Sequence, residues 1–151
     1  MWAHHPHELL ELAKALGYAR PAPRPGTVVV TCSGGDAAIA ADEAHRLGVA
    51  LPALAESTVT ALRAVLPATA TVANPLDYTA VMFGDVKPTA DLVAHAGADP
   101  AVGSVLVYYD RPADLDAEAA ESWDGALAGV MAGAKRLCKP VLLASTLPEL
   151  L

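Results

Sequence analysis

Apolar residues follow two rhythms along this chain. Short unbroken runs occur at TVVVT (residues 27–31), VGSVLVYYD (102–110) and KPVLLAS (139–145). Runs of that length predict strands buried on both faces. Between them, apolar positions recur at helical spacing. Leu9, Leu10, Leu12, Ala13 and Leu16 predict a helix over residues 6–16. The alanine-rich stretch 36–47 predicts a second, with Gly48 as its C-terminal glycine. Ser57 is read as the N-cap of a helix reaching Leu66. Further helices are expected over 88–96 and within 117–137. Residues 49–54, interrupted by Pro52, and 71–73 are weaker strand candidates. Strands alternating with helices predict a mostly parallel sheet, with helices on both faces and right-handed crossovers.

Composition narrows the class. The chain has 151 residues, 54% of them hydrophobic and only 5% aromatic, which fits one α/β domain better than a β-sandwich. Residues 17–26 (GYARPAPRPG) form a Pro-rich connector. The expected organisation is therefore an N-terminal helix and connector over 1–26, then the α/β domain over 27–151. STLPELL reads as the beginning of another helix, so the domain is expected to be C-terminally truncated, a fragment of something longer. No internal repeat is visible.

A net charge of -7 gives no general attraction to nucleic acid or anionic membranes. The N-terminal stretch lacks the apolar centre of a signal peptide, and no run approaches the roughly 18 residues of a membrane span. Cys32 and Cys138 are too few and too distant for a disulfide framework, which points to a reducing cytoplasm.

Two stretches carry candidate chemistry. Ser33-Gly34-Gly35-Asp36 joins a strand to a helix. A helix N-terminus leaves about four N–H groups without internal partners and carries roughly half a positive charge, and glycines let an anion approach closely. The same letters also suit a plain tight turn, and the Asp36 carboxylate would repel a phosphate. The pattern is neither a P-loop nor GxGxxG. In ANPLDYTA (residues 73–80), Asn74 and Asp77 are expected in a loop at the carboxyl edge of the sheet, where open α/β folds bind ligands. An Asx turn is the alternative. Asp110 and Arg111, at the end of a strand, are candidates for the same edge. DEAH (42–45) lies within a predicted helix with no Walker A in the chain. The histidines of HHPHE (4–8) suit a solvated helix start. No metal site and no Ser/His/Asp triad is read.

In order and spacing, the segments HELLELAKAL, TVVVTCSGGDAAIAADEAHRLGV, LPALAESTVTALRAVLPATATVANPLDYTA, DPAVGSVLVYYD and KPVLLAS resemble one module of the NDP-forming acyl-CoA synthetases. These are the ADP-forming acetate–CoA ligase type, relatives of succinyl-CoA synthetase. The resemblance runs from about residue 7 to 145, and its specific part is Ser-Gly-Gly followed about forty residues later by Asn-Pro-Leu-Asp. It implies a flavodoxin-like α/β domain with three layers, the module that follows the CoA-binding domain in fused enzymes. The family converts acyl-CoA, ADP and phosphate into carboxylate, CoA and ATP through an acyl phosphate and a phosphohistidine. The N-termini of two helices, one from each of two related domains, face that histidine.

By resemblance, Ser33, Gly34, Gly35 and Asp36 form one such helix start, and Asn74, Asp77 and Asp110 lie at the carboxyl-edge site. The implied partners are CoA-binding, phosphohistidine and ATP-grasp domains. The full enzyme would use CoA, ADP/ATP and Mg, with no cofactor held tightly by this chain. Three departures bear on function. None of His4, His5, His7, His45 and His95 has the glycine- and serine-rich setting of the family's mobile histidine, so no catalytic residue is expected in this chain. The CoA-binding and ATP-grasp domains are not in this sequence. Many relatives have Gly-Gly-Pro-Gly where this chain has Gly-Gly-Asp-Ala. The chain is accordingly expected to be inactive alone. The alternatives are a non-catalytic regulatory or assembly module, for example fused to an acetyltransferase, and a free-standing flavodoxin-like binding protein. Flavin is not expected, since few aromatic residues could stack on it.

Overall fold

A computed structural model describes residues 3–18, 21–145 and 147. The elements in chain order are α1 (Pro6–Tyr18), β1 (Thr27–Thr31), α2 (Gly34–Leu47), α3 (Glu56–Arg63), β2 (Leu76–Asp77), a 3-10 turn (Ala80–Met82), α4 (Val86–Ala98), β3 (Ser104–Tyr108), α5 (Ala117–Ala134) and β4 (Val141–Ala144). The four strands form one all-parallel sheet in the order β2-β1-β3-β4. That is the strand order of a flavodoxin-like sheet over its first four positions. No helix among the described residues is long and apolar enough to cross a membrane.

The sheet is layered between helices. Val28, Val30, Val105 and Val107 enter a core with Leu62, Leu92, Val93, Ala96 and Val130 from α3, α4 and α5. Each fully buried leucine there contributes about 2 kcal/mol. The opposite face is covered over β1 by α2, whose buried positions are Ala40 and Ala44. α1 forms where the leucine spacing predicts it, but Leu9, Leu10 and Leu16 remain exposed.

Three expectations about elements change, each for a long-range reason. Residues 49–54 form no strand: Pro52 lacks an N–H, and only Ala50 O bonds β1, accepting from Thr27 N at 2.8 Å. The short strand expected at 71–73 lies instead at Leu76–Asp77, just after Pro75, which cannot donate to a ladder. Ser57 is not a cap. α3 starts at Glu56 with Ala55 as N-cap, and the buried Asp99 carboxylate accepts the Ala55 N–H at 2.7 Å from 44 residues away.

Candidate functional site at the carboxyl edge of the sheet

β1 runs directly into α2 through Cys32 and Ser33. Ser33 is the N-cap in extended conformation, and its Oγ accepts from Asp36 N at 3.4 Å. The fully buried Thr31 hydroxyl braces the turn by accepting from Ser33 N and donating to Asp36 Oδ2, both at 3.2 Å. The Asp36 carboxylate is thus drawn back toward β1. Among the described residues, the cap engages Asp36 N and leaves the amides of Gly34 and Gly35 at the helix start.

β2 brings Asp77 to the same place. Its Oδ1 accepts from Thr79 N at 2.8 Å, while Tyr78 N donates to Thr31 O at 2.9 Å. Asp77 Oδ2 stands 3.4 Å from where a β-carbon on Gly34 would sit. A side chain at Gly34 would therefore crowd the space between the helix start and this carboxylate. Asp110, at the end of β3, accepts from Ser145 Oγ at 2.7 Å and so links the ends of β3 and β4. The Tyr108 phenol is pushed up by burial and then by the negative charges of Asp36 and Asp110, so these two carboxylates act on one group.

Asn74 lies elsewhere. Its side chain is spent on the backbone nearer the start of β1: Oδ1 accepts from Val29 N at 3.1 Å, and Nδ2 donates to Thr27 O at 2.9 Å and Pro52 O at 3.0 Å. All these bonds are to main chain, so the amide completes the sheet edge below β2. The turn at Ser33–Asp36, Asp77 and Asp110 therefore gather at the carboxyl edge, and Asn74 stands below them. Arg111 reaches Asp124 of α5, with Nε 3.4 Å from Oδ1. His4, His5 and His7 lie at the start of α1, His45 in the last turn of α2 and His95 in the last turn of α4. DEAH is an ordinary stretch of α2.

Sequence reasoning passed over Cys32, Tyr78 and Thr79. Burial raises the Cys32 thiol above its ordinary range, and Asp36 and Asp77 add to the rise. Burial likewise raises the Tyr78 phenol, which hydrogen-bonds Cys32. Cys32 is consequently a neutral thiol rather than a nucleophile at neutral pH. Thr79 has φ 67°, a strained conformation for a β-branched residue, and its buried hydroxyl has no partner among the described residues. Only the Asx spacing from Asp77 to Thr79 hinted at this in the sequence. No group of three or more His, Cys, Asp or Glu among the described residues could hold a metal ion.

No protein-family model matches the chain. Over 88 residues, 57% of this chain, it is 38% identical to the alpha subunit of ADP-forming acetate–CoA ligase II from Pyrococcus furiosus, covering 19% of that subunit. The Ca. Korarchaeum cryptofilum dinucleotide forming acetyl-coenzyme A synthetase 1 has the same fold, with a TM-score of 0.77 at 23% identity over 97% of this chain and 31% of its own. That enzyme is also solved in complex with phosphate and ADP. The protein PH0766 of Pyrococcus horikoshii OT3 superposes with a TM-score of 0.72 at 29% identity, covering 96% of this chain and 32% of its own. This chain thus spans about a fifth of the curated relative and about a third of the solved ones.

Proposed function

We propose that the chain is a member of the NDP-forming acyl-CoA synthetase family and forms one domain of a multidomain acyl-CoA ligase, a reading supported by its similarity to the acetate–CoA ligase alpha subunit and to the acetyl-coenzyme A synthetase. In this reading, residues 27–151 belong to the flavodoxin-like domain and residues 1–26 lead into it. The N-terminus of α2 faces a phosphoryl group, a phosphohistidine or an acyl phosphate, delivered by another domain. The observation that carries the reading is the turn itself. A buried strand ends in a capped, two-glycine start to a 14-residue helix whose first amides the cap leaves unengaged.

Each residue of that turn has a role the chemistry can use. Gly34 and Gly35 offer N–H groups with no β-carbon in the way, backed by the helix dipole. The Ser33 oxygen already accepts from Asp36 N, so its hydroxyl proton remains to be donated to a phosphoryl oxygen. Such donors, fixed before the charge arrives, stabilise it without reorganisation. No histidine of this chain lies on the carboxyl-edge loops, so the transferred group comes from elsewhere and the isolated chain is inactive. CoA, ADP/ATP and Mg are handled by the CoA-binding and ATP-grasp domains. The free thiols of Cys32 and Cys138 agree with a cytoplasmic setting.

One observation favours a second reading. Asp36 and Asp77 set two carboxylates at the same helix turn and offset part of its dipole. That suits a non-catalytic regulatory or assembly module of a ligase-like protein.

An amide NMR titration separates the two. Inorganic phosphate or acetyl phosphate should give saturable shifts at Ser33 to Ala37, whereas CoA and ADP should give none. Asp36→Gly should tighten the response roughly 3–10-fold by removing a charge near the dipole. In the full enzyme, Ser33→Pro combined with Gly35→Pro should abolish turnover. Normal turnover in that variant, or silence of the titration in both forms of the chain, would favour the second reading.

A further inference from the structure

We propose that Thr31 is a positioning residue whose buried hydroxyl holds the Asp36 carboxylate off the first amides of α2 and so keeps that helix start open to an anion. The identity of the anion, a phosphoryl group, rests on the function proposed above. Ser33 and Asp36 stand at the N-cap and the third position of α2. At this spacing an acidic side chain ordinarily reaches back and accepts the N-cap N–H directly, closing a capping box. Here one half of the box is made, since Ser33 Oγ accepts from Asp36 N at 3.4 Å. The other half is interrupted. Ser33 N donates to Thr31 Oγ1 at 3.2 Å, and the same hydroxyl donates to Asp36 Oδ2 at 3.2 Å. One hydroxyl thus stands between the carboxylate and the amide it would otherwise take.

The strand fixes where that hydroxyl sits. Thr31 is fully buried and follows three buried valines in β1. Its main chain is held in the ladder opposite Asp77, and its carbonyl accepts from Tyr78 N at 2.9 Å. A β-branched side chain so held has little freedom at χ1, which leaves the hydroxyl aimed at the turn. Valine has the same shape and would suit the strand without burying a polar group. The hydroxyl therefore serves the turn rather than the core, and the turn satisfies it as both donor and acceptor.

The consequence is electrostatic. A carboxylate bonded straight to Ser33 N would lie beside the amides of Gly34 and Gly35 and neutralise the positive end of the helix itself. Drawn back by one hydroxyl, it leaves those amides to an incoming anion. An aspartate that by charge alone would repel a phosphate becomes compatible with one through the residue that ends β1.

Thr31→Val removes the hydroxyl and keeps the shape. Its crystal structure should show the Asp36 carboxylate moved onto Ser33 N, at about 2.9 Å. In amide titrations of the 151-residue chain with inorganic phosphate, Thr31→Val should weaken binding roughly 3–10-fold when Asp36 is present. In the Asp36→Asn background it should change binding by less than about 2-fold, because no charge remains to be misplaced. A purely structural role would weaken both backgrounds alike. Thr31→Ser keeps the hydroxyl and should bind as the wild type does. Should Thr31→Val fail to fold, Asp36→Glu asks the same question with Thr31 intact. Its longer side chain reaches past the hydroxyl to Ser33 N and should weaken binding by a similar factor of roughly 3–10. Equal weakening in both backgrounds, unchanged binding in Asp36→Glu, or an Asp36 carboxylate that stays off Ser33 N in Thr31→Val would overturn the proposal. Silence of the wild-type chain toward phosphate would instead count against the phosphoryl-site reading, and the variant's crystal structure would still decide whether Thr31 places Asp36.

Discussion

Asn74 takes the place of two residues of strand pairing. β1 has a ladder partner in β2 only at Val30 and Thr31, and the Asn74 amide serves Val29 N and Thr27 O further down the same edge. Asn74→Ala would leave these main-chain groups and Pro52 O without their partner. It should cost about 2–3 kcal/mol in urea unfolding, with the phosphate response at Ser33 to Ala37 preserved in whatever fraction folds. A loss of the response without a loss of stability would instead put Asn74 in the site. At this scale, features whose partners lie close in sequence could be read directly. Ser33 caps α2, and Gly48 closes it at φ 69°. Asn74 was read as an edge residue because its three partners lie 22 to 47 residues away and share no local pattern. Asp99 went unnoticed for the same reason.

Elements pack more closely than their spacing reveals. The small residues Ser122, Gly125, Gly129 and Gly133 of α5 lie about one turn apart and make one narrow face of the helix. The structure sets this stripe against α4 and the loop before it. A β-carbon on Gly129 would sit 2.6 Å from Thr89 Cβ and 2.8 Å from Val86 O, and one on Gly133 would sit 2.7 Å from Ala90 O. The two helices therefore meet backbone to backbone. Gly129→Ala should destabilise by about 1–3 kcal/mol through overpacking, although alanine is the better helix former by about 1 kcal/mol. Thermal unfolding of the variant checks this, and an unchanged or raised midpoint would mean that the contact has room to yield. Helical periodicity shows that a face is narrow but not which neighbour needs it narrow. The strands were legible as apolar runs, whereas β2, two residues long, has too few positions for any period to show.

At the scale of the molecule, one aspartate ties three segments at the base of the sheet. Asp99 is buried and accepts from Ala55 N and Ala101 N, while its carbonyl accepts from Lys139 Nζ. Burial alone would push its carboxyl up. The N–H groups of Ala101 and Ala55, the Thr58 hydroxyl and the charge of Lys139 outweigh that and hold it below its ordinary value. A depressed carboxyl contributes stability above the unfolded value of about 3.9, and the contribution disappears as pH falls through the folded value. Wild-type urea midpoints should therefore drop steeply as pH falls below about 4, and Asp99→Asn should start lower and fall less. Asp91, held at about 2 by Lys87 and Arg136, contributes with the same sign. Both of its ion pairs lie at the surface, so 0.5 M salt should weaken their share and leave that of Asp99. Equal slopes for wild type and variant in salt would remove Asp99 from the account. The α/β class was legible from alternation alone. The tie at Asp99 depends on which segments meet in space, and no stretch of sequence records that.

The central place of β1 also sets a timetable. Its flanking partners are β2, about 46 residues further along, and β3, whose Ser104 pairs with Thr27 across 77 residues. A ribosome releases the Val-Val-Val core of β1 long before either neighbour exists, so the most buried strand of the sheet waits longest for its cover. Closing loops of that length is slow relative to helix formation. The nascent chain should therefore pass through a stage with α2 formed and β1 exposed, the period in which it most needs a chaperone.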